Sequence, residues 1–204
     1  MKILFYIHNL QIGGAERIVA DEIIQLKNRG VDVVLVVNNT TGSFLEDRVI
    51  SFGIKQHVLQ RRMPNNRIAA FVVKVLNRFA NYRNKFNKII ELEKPDLIHI
   101  HTLLDRIYGI NFPEDRFVYT FHSDVSRSIE TNTKKNAKCL KILAKRGMSF
   151  FALSEKMKLD IKRSLQTNKV SVIPNAIDVG AIRSNAYSRD FLESISIPKD
   201  AYVV

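Results

Sequence analysis

Four apolar runs in this 204-residue sequence end on polar side chains that could do chemistry. KILFYIH closes on His8 and Asn9, LIHIH on His101 with Thr102, FVYTFH on His122 with Ser123, and SFFALS on Ser154 with Glu155. Each run has the length and composition of a buried strand. If the strands lie parallel in one open sheet, their C-terminal ends face a common crevice, and residues far apart in sequence converge there. Four such ends predict a ligand-binding crevice. His122 could donate to a hydroxyl or a phosphate near neutral pH, or could be a packed histidine with a backbone partner. Gly13 and Gly14 follow the first run. Without Cβ atoms they let a ligand approach the backbone, and a helix beginning there would offer free N–H groups and a positive dipole end. The pair fits a phosphate or sugar site or a plain tight turn. A third glycine and an acidic residue at Asn38 or Asn39 are both missing, which argues against a nicotinamide-dinucleotide site.

Other chemistries find little support. His99 and His101 lie two apart on a strand and share a face. A metal ion needs three or four ligands, and no cysteine or carboxylate is spaced to complete the set, so no metal is expected. His99 is read as a core residue, His101 as a substrate contact and mid-strand His57 as structural. There is no G-x-S-x-G elbow, no useful carboxylate pair and no Walker sequence, which leaves hydrolase and kinase readings unsupported. The single cysteine, Cys139, makes no internal disulfide and reads as a small helical residue in a reducing compartment.

The elements that would position these residues follow from periodicity. Ala15, Ile18, Val19, Ile23 and Leu26 recur at helical spacing before Gly30, and VDVVLVVNN is a second strand. SFLEDRVISFG is a helix, IKQHVLQ a third strand, and Ile68 to Glu93 one long helix on which Ile68, Phe71, Val72, Val75, Leu76, Phe79, Phe86 and Ile90 keep the period. After the strands ending at His101 and His122 come a helix from about Ser128 to Arg146, a sixth strand, the helix EKMKLDIKRSLQ and a seventh strand, KVSVIP. The order predicts an α/β protein with a Rossmann-like open parallel sheet flanked by helices.

Charge adds a second theme. The formal net charge is +12 and the sequence pI about 9.9, so an anionic partner is expected. On the single long helix Arg67, Lys74, Arg78 and Lys85 fall on nearly one line, with Phe71 and Ile89 at its edge. Such a stripe suits an anionic bilayer surface, the bland alternative being a solvated face. Lys134, Lys138, Lys141 and Lys145 form a second line. Nucleic acid is not expected, because no binding module or aromatic stacking set accompanies the charge. No apolar run approaches a membrane span, and Met1 leads straight into strand one, so the expected location is cytoplasmic, peripheral at the inner face of the cell membrane.

Together GGAER, KPDLIHIH, VYTFHS, FALSEKMK and VSVIPNAID, with the IPKDAYVV tail, resemble the N-terminal domain of GT-B glycosyltransferases. Within that fold they resemble the family-four group of exopolysaccharide and capsule biosynthesis. Ala176 stands where that pattern usually has glycine. The resemblance implies a retaining hexosyltransferase that moves a sugar from a nucleotide diphosphate sugar to a lipid-linked or saccharide acceptor, with no cofactor beyond the donor and no metal. Carried over position by position, Gly13 and Gly14 would lie against the donor phosphates and His122 would be catalytic, beside the transferred sugar. His8, Asn9, His101, Thr102 and Ser123 would line the acceptor side. Glu16 belongs to the motif, though a carboxylate in a helix's first turn is already explained by the dipole. The implied division is an acceptor-binding domain over residues 1–178, then a linker and the first strand of a donor-binding C-terminal domain over 179–204. AYVV reads as a fresh strand, so an inactive first half of a longer protein is expected. A non-catalytic glycan or lipid-carrier module acting with a partner chain, and a nucleotide-sugar epimerase of similar fold, are the alternatives.

Overall fold

A computed structural model describes residues 1–60, 66–78, 81–102, 104, 108–123, 125 and 134–176. Its elements are β1 Lys2–Ile7, α1 Gly14–Asn28, β2 Asp32–Val37, α2 Phe44–Ser51, β3 Lys55–Val58, α3 Arg67–Arg78, α4 Tyr82–Glu93, β4 Leu97–Ile100, β5 Phe117–Thr120, α5 Lys134–Lys145, β6 Ser149–Ala152, α6 Glu155–Leu165 and β7 Val170–Val172. The seven strands form one parallel sheet in the order β3-β2-β1-β4-β5-β6-β7. The order reverses between β1 and β4, and such a reversal opens a crevice at the strand C-termini. The α/β reading and all seven strands therefore agree with the sequence. The expected linker and AYVV strand, within 179–204, lie outside the described residues.

Strand alternation builds two cores. Ile3, Phe5, Ile7, Val33, Leu35 and Val37 face one side with Val19, Ala20, Ile23 and Ile24 of α1 and Leu45 and Val49 of α2. Leu4, Tyr6, Val36, Ile98 and Ile100 face the other, with Phe86 of α4, Leu140 and Leu143 of α5, and Ile161 and Leu165 of α6. Both faces of the central strands are buried, which is why they read as continuous apolar runs.

The long helix is two helices. Asn81 precedes α4 as its N-cap, its Oδ1 accepting from Asn84 N at 3.0 Å. An asparagine side chain that caps a new first turn competes with continuing the old one. The break separates the two halves of the expected apolar stripe. Phe86 is fully buried and Ile89 and Ile90 pack against the core, whereas Ile68 is 78% and Phe71 68% exposed. Val72, Val75 and Leu76 are exposed as well. The break also corrects the basic line. Lys85 belongs to α4, where its Nζ donates to the Leu59 carbonyl at 2.6 Å. Ile89 is a core contact and does not border an exposed stripe. Arg67 and Lys74 remain exposed on α3, and Lys138, Lys141 and Lys145 on α5.

Two buried carboxylates tie elements together. Glu46 accepts from Thr41 N, Gly42 N and Gln56 Nε2, fixing the loop after β2, while Ser43 caps α2 by accepting from Glu46 N. Glu93, at the end of α4, meets Lys55 Nζ at 2.6 Å, His57 Nε2 at 2.7 Å and Lys2 Nζ at 3.4 Å. His57 is thus structural, as its mid-strand place predicts. Burial by itself would raise the Glu93 carboxyl, but hydrogen bonds from Lys55, His57 and Lys2 hold it down to about 2, against an ordinary 4.5. A carboxyl depressed in the fold stabilises it fully above the ordinary value, and that contribution is lost as pH falls toward 2. Glu93→Gln is expected to cost about 1–3 kcal/mol in urea unfolding at neutral pH. It should also flatten the fall in stability between pH 4.5 and 2. Parallel pH profiles for parent and variant would rule out a role for the charge.

Candidate active site

The crevice is assembled at the reversal point. The β1–β4 register pairs Tyr6 with Ile100, and His101 N donates to the Tyr6 carbonyl at 2.9 Å, so the chain just beyond β1 and β4 emerges side by side. β5 lies next, its Tyr119 paired with Ile100. His8, His101 with Thr102, and His122 with Ser123 therefore rise from three adjacent strand ends, as expected. His8 is exposed, and its Nδ1 lies 2.8 Å from Asn38 Nδ2. Asn38 is buried and accepts from the Tyr6 hydroxyl at 2.9 Å, so the end of β2 orients the ring of His8. Thr102 is half-buried and Ser123 exposed.

Two expected residues hold local structure. The Asn9 side-chain Oδ1 accepts from Gln11 N at 3.3 Å and shapes the loop before the glycine pair. Ser154 caps α6 by accepting from Met157 N, and Glu155 pairs with Lys158 in the first turn. The fourth strand end thus presents a helix cap at the crevice.

Gly13 is the N-cap of α1 and Gly14 its first residue, so the pair does open a helix. The Glu16 carboxylate folds back against Gly13, where any Cβ would strike it. An acidic side chain there already answers the positive end of the helix. An anion approaching Gly13 would have to displace it.

His101 and His122 are joined directly, Nδ1 to Nε2 at 2.8 Å, with rings 5.1 Å apart. Burial, then the neighbouring rings of His99 and His122, push His101 well below the usual histidine range. Burial and His99 also lower His122, against an upward pull from Glu22. Two neutral imidazoles can share one hydrogen, so one donates and the other accepts. A neutral His122 is suited to make a hydrogen bond in the crevice rather than to act as a fixed cation.

Behind the pair lie His99 and two residues that spacing could not find, Thr120 and Glu22. His99 Nε2 meets Thr120 Oγ1 at 2.7 Å, and His99 Nδ1 lies 3.3 Å from Glu22 Oε1 on α1. Glu22 Oε2 is 3.9 Å from His101 Nε2. The carboxylate that sequence spacing does not place beside His99 and His101 comes from another layer of the fold, as Glu22 of α1. Its sequence signal is faint: an acidic residue one turn beyond Ile18 and Val19, on the margin of the apolar face of α1.

Residues 12–181 match the sequence profile of Glycosyltransferase Family 4. The chain belongs to glycosyltransferase family 4. Among solved structures, HepE of Anabaena in complex with UDP and glucose is 17% identical, with a TM-score of 0.65 over 96% of this chain and 50% of HepE. WaaG, a glycosyltransferase of lipopolysaccharide biosynthesis, is 10% identical, with a TM-score of 0.64 over 97% of this chain and 52% of WaaG. A putative UDP-N-acetylglucosamine 2-epimerase from Listeria monocytogenes is 15% identical, with a TM-score of 0.56 over 99% of this chain and 49% of that protein. This family 4 chain therefore spans about half the length of the solved structures it matches, and its sheet is the N-terminal half of a GT-B fold. No curated protein sequence matches it. No helix among the described residues is long and apolar enough to cross a membrane.

Proposed function

We propose that this family 4 chain is the acceptor-binding half of a retaining glycosyltransferase of surface polysaccharide biosynthesis. It would transfer a hexose from a nucleotide diphosphate sugar to a lipid-linked or saccharide acceptor, together with a donor-binding C-terminal half. The observation that supports this best is the meeting of His8, His101 and His122 at the reversal point of the sheet in a chain of this family. His8, Thr102 and Ser123 would contact acceptor hydroxyls, with His101 supporting them from beneath. His122 would hold a hydroxyl of the transferred sugar. Gly13 and Gly14 would approach the donor phosphates once Glu16 swings aside. The helix dipole and basic side chains would then offset charge on the departing diphosphate, so the reading calls for no metal at that step.

The same reading places the protein on the cytoplasmic face of the cell membrane. α3 presents Ile68, Phe71, Val72, Val75 and Leu76 outward beside Arg67 and Lys74. An apolar face flanked by cations suits the boundary between headgroups and acyl chains of an anionic leaflet.

The test is product analysis with a panel of nucleotide sugars. Residues 1–204 alone should show no transfer above a no-enzyme control, and joining them to a donor-binding half should produce it. Transfer by the chain alone would overturn the half-site reading. Interconversion of free nucleotide sugars without an acceptor would favour the epimerase reading, which the structural likeness to the Listeria protein keeps in view. Glycan binding with neither reaction would favour a non-catalytic module.

A further inference from the structure

Glu22 and His99 have no part in the sugar-transfer reading, yet both point at the same spot as His101. We propose that Glu22, His99 and His101 form a binding site for one divalent transition-metal ion, zinc foremost.

The geometry is that of three ligands around one point. One oxygen of Glu22 and one nitrogen from each histidine all lie within 4.8 Å of one another. The carboxylate stands 3.3 Å from His99 Nδ1 and 3.9 Å from His101 Nε2. Metal–ligand bonds of about 2.0–2.2 Å at tetrahedral angles set neighbouring ligand atoms about 3.3–3.6 Å apart, so small side-chain adjustments close the site.

The second observation is an orphan. The His101 side chain is 1% exposed, and its Nε2 has no hydrogen-bond partner among the described residues. A buried ring nitrogen left unpaired is costly, and a metal ion is one way to satisfy it. The outer contacts agree. Metal-ligating histidines have their second nitrogen held by a partner, which fixes ring and tautomer. Here His99 Nε2 is held by Thr120 Oγ1, and His101 Nδ1 by His122 Nε2. Phe5 stacks on His101 and Phe151 meets His99 edge-on, so the rings are also fixed by packing.

The donor set selects the ion. Two imidazoles and a carboxylate are too nitrogen-rich for magnesium or calcium and suit zinc and its neighbours. Glu22 is about one-third exposed, which gives the ion an entry side and a place for a fourth ligand. The ion would also act on the crevice. Metal on His101 Nε2 leaves the ring hydrogen on Nδ1, which must donate to His122 Nε2. His122 then carries its own hydrogen on Nδ1, so occupancy decides which nitrogen of His122 can donate.

Cobalt is the probe. Chelator-stripped protein titrated with Co2+ should develop the visible ligand-field bands of a tetrahedral complex, saturating at one ion per chain and displaced by Zn2+. Glu22→Gln keeps the shape of a partly exposed helical residue and should weaken binding at least tenfold, to judge from ligand-shell effects of about 10–100-fold. Thr120→Val removes no ligand and should also weaken it by loosening His99. Glu16→Gln, on the same helix, should bind like the parent. Far-UV circular dichroism checks that each variant is folded, and ring-nitrogen NMR of the zinc form should report His101 as the Nδ1–H tautomer. Absence of tetrahedral bands, bands of equal strength in Glu22→Gln, or a thiolate charge-transfer band assigning the ion to Cys139 would each overturn the proposal.

Discussion

In a two-domain enzyme containing this chain, His122→Ala is expected to lower kcat by about 100-fold, the scale of one lost transition-state contact. The fold should survive, because His122 stands outside the apolar clusters and is only half-buried. It will not be untouched. His101 is buried and loses the partner of its Nδ1, so a stability cost of about 1–3 kcal/mol should accompany the kinetic loss. Steady-state kinetics and a thermal melt on the same preparation separate the effects. A fall in kcat with donor KM unchanged marks a contact made in the transition state. A lower melting temperature with unchanged turnover would leave His122 as a packing partner of His101 and nothing more.

The second large effect concerns the membrane. Replacing Arg67, Lys74 and Arg78 together with Gln should release the protein from anionic vesicles. Each basic residue near such a surface contributes about 1 kcal/mol, so three removals should weaken partitioning by roughly 100-fold. Vesicle co-sedimentation at low salt measures this, and raised salt should weaken the parent in the same direction as the Debye length shortens. Phe71→Ser should add to the loss, since that ring is exposed on the same helix. Lys85→Gln should change binding little, because its ammonium is engaged by the Leu59 carbonyl. Equal binding to neutral and anionic vesicles, or no loss on substitution, would sink this mechanism and leave the basic stripe as a solvated face.

The contrast between Lys85 and Lys74 shows what the sequence could reveal. Strands inside the sheet appear as largely apolar runs and the part-exposed edge strands KQHV and VSV as short mixed segments, so all seven are legible, and the polar residues ending β1, β4 and β5 are legible with them. The boundary between α3 and α4 was not, because the apolar period runs through it unbroken. Only the asparagine at position 81 hints at a cap, and capping depends on backbone angles that a one-dimensional pattern does not hold. Period also identifies a stripe without saying what the stripe meets. Phe71 and Phe86 obey the same rhythm, yet one is exposed and the other buried. The meeting of Glu22 with His99 and His101 is harder still, since it is set by how α1 crosses the sheet.

The pairing of β1 with β4 has a consequence for how the molecule comes into being. β2 can dock beside β1, and β3 beside β2, as soon as they are made, but the partner on the other side of β1 begins only at Leu97, opposite Ile3. Closing so long a loop is entropically expensive, and pairings distant in sequence form slowly. During synthesis the β1 edge facing β4 therefore stays open until the segment through Ile100 has left the ribosome. The histidine seam has to wait longer still, because it draws on residue 22 at one end and residue 122 at the other. A nascent chain arrested before β4 would hold the first three strands and the helices between them, and it would have no crevice at all.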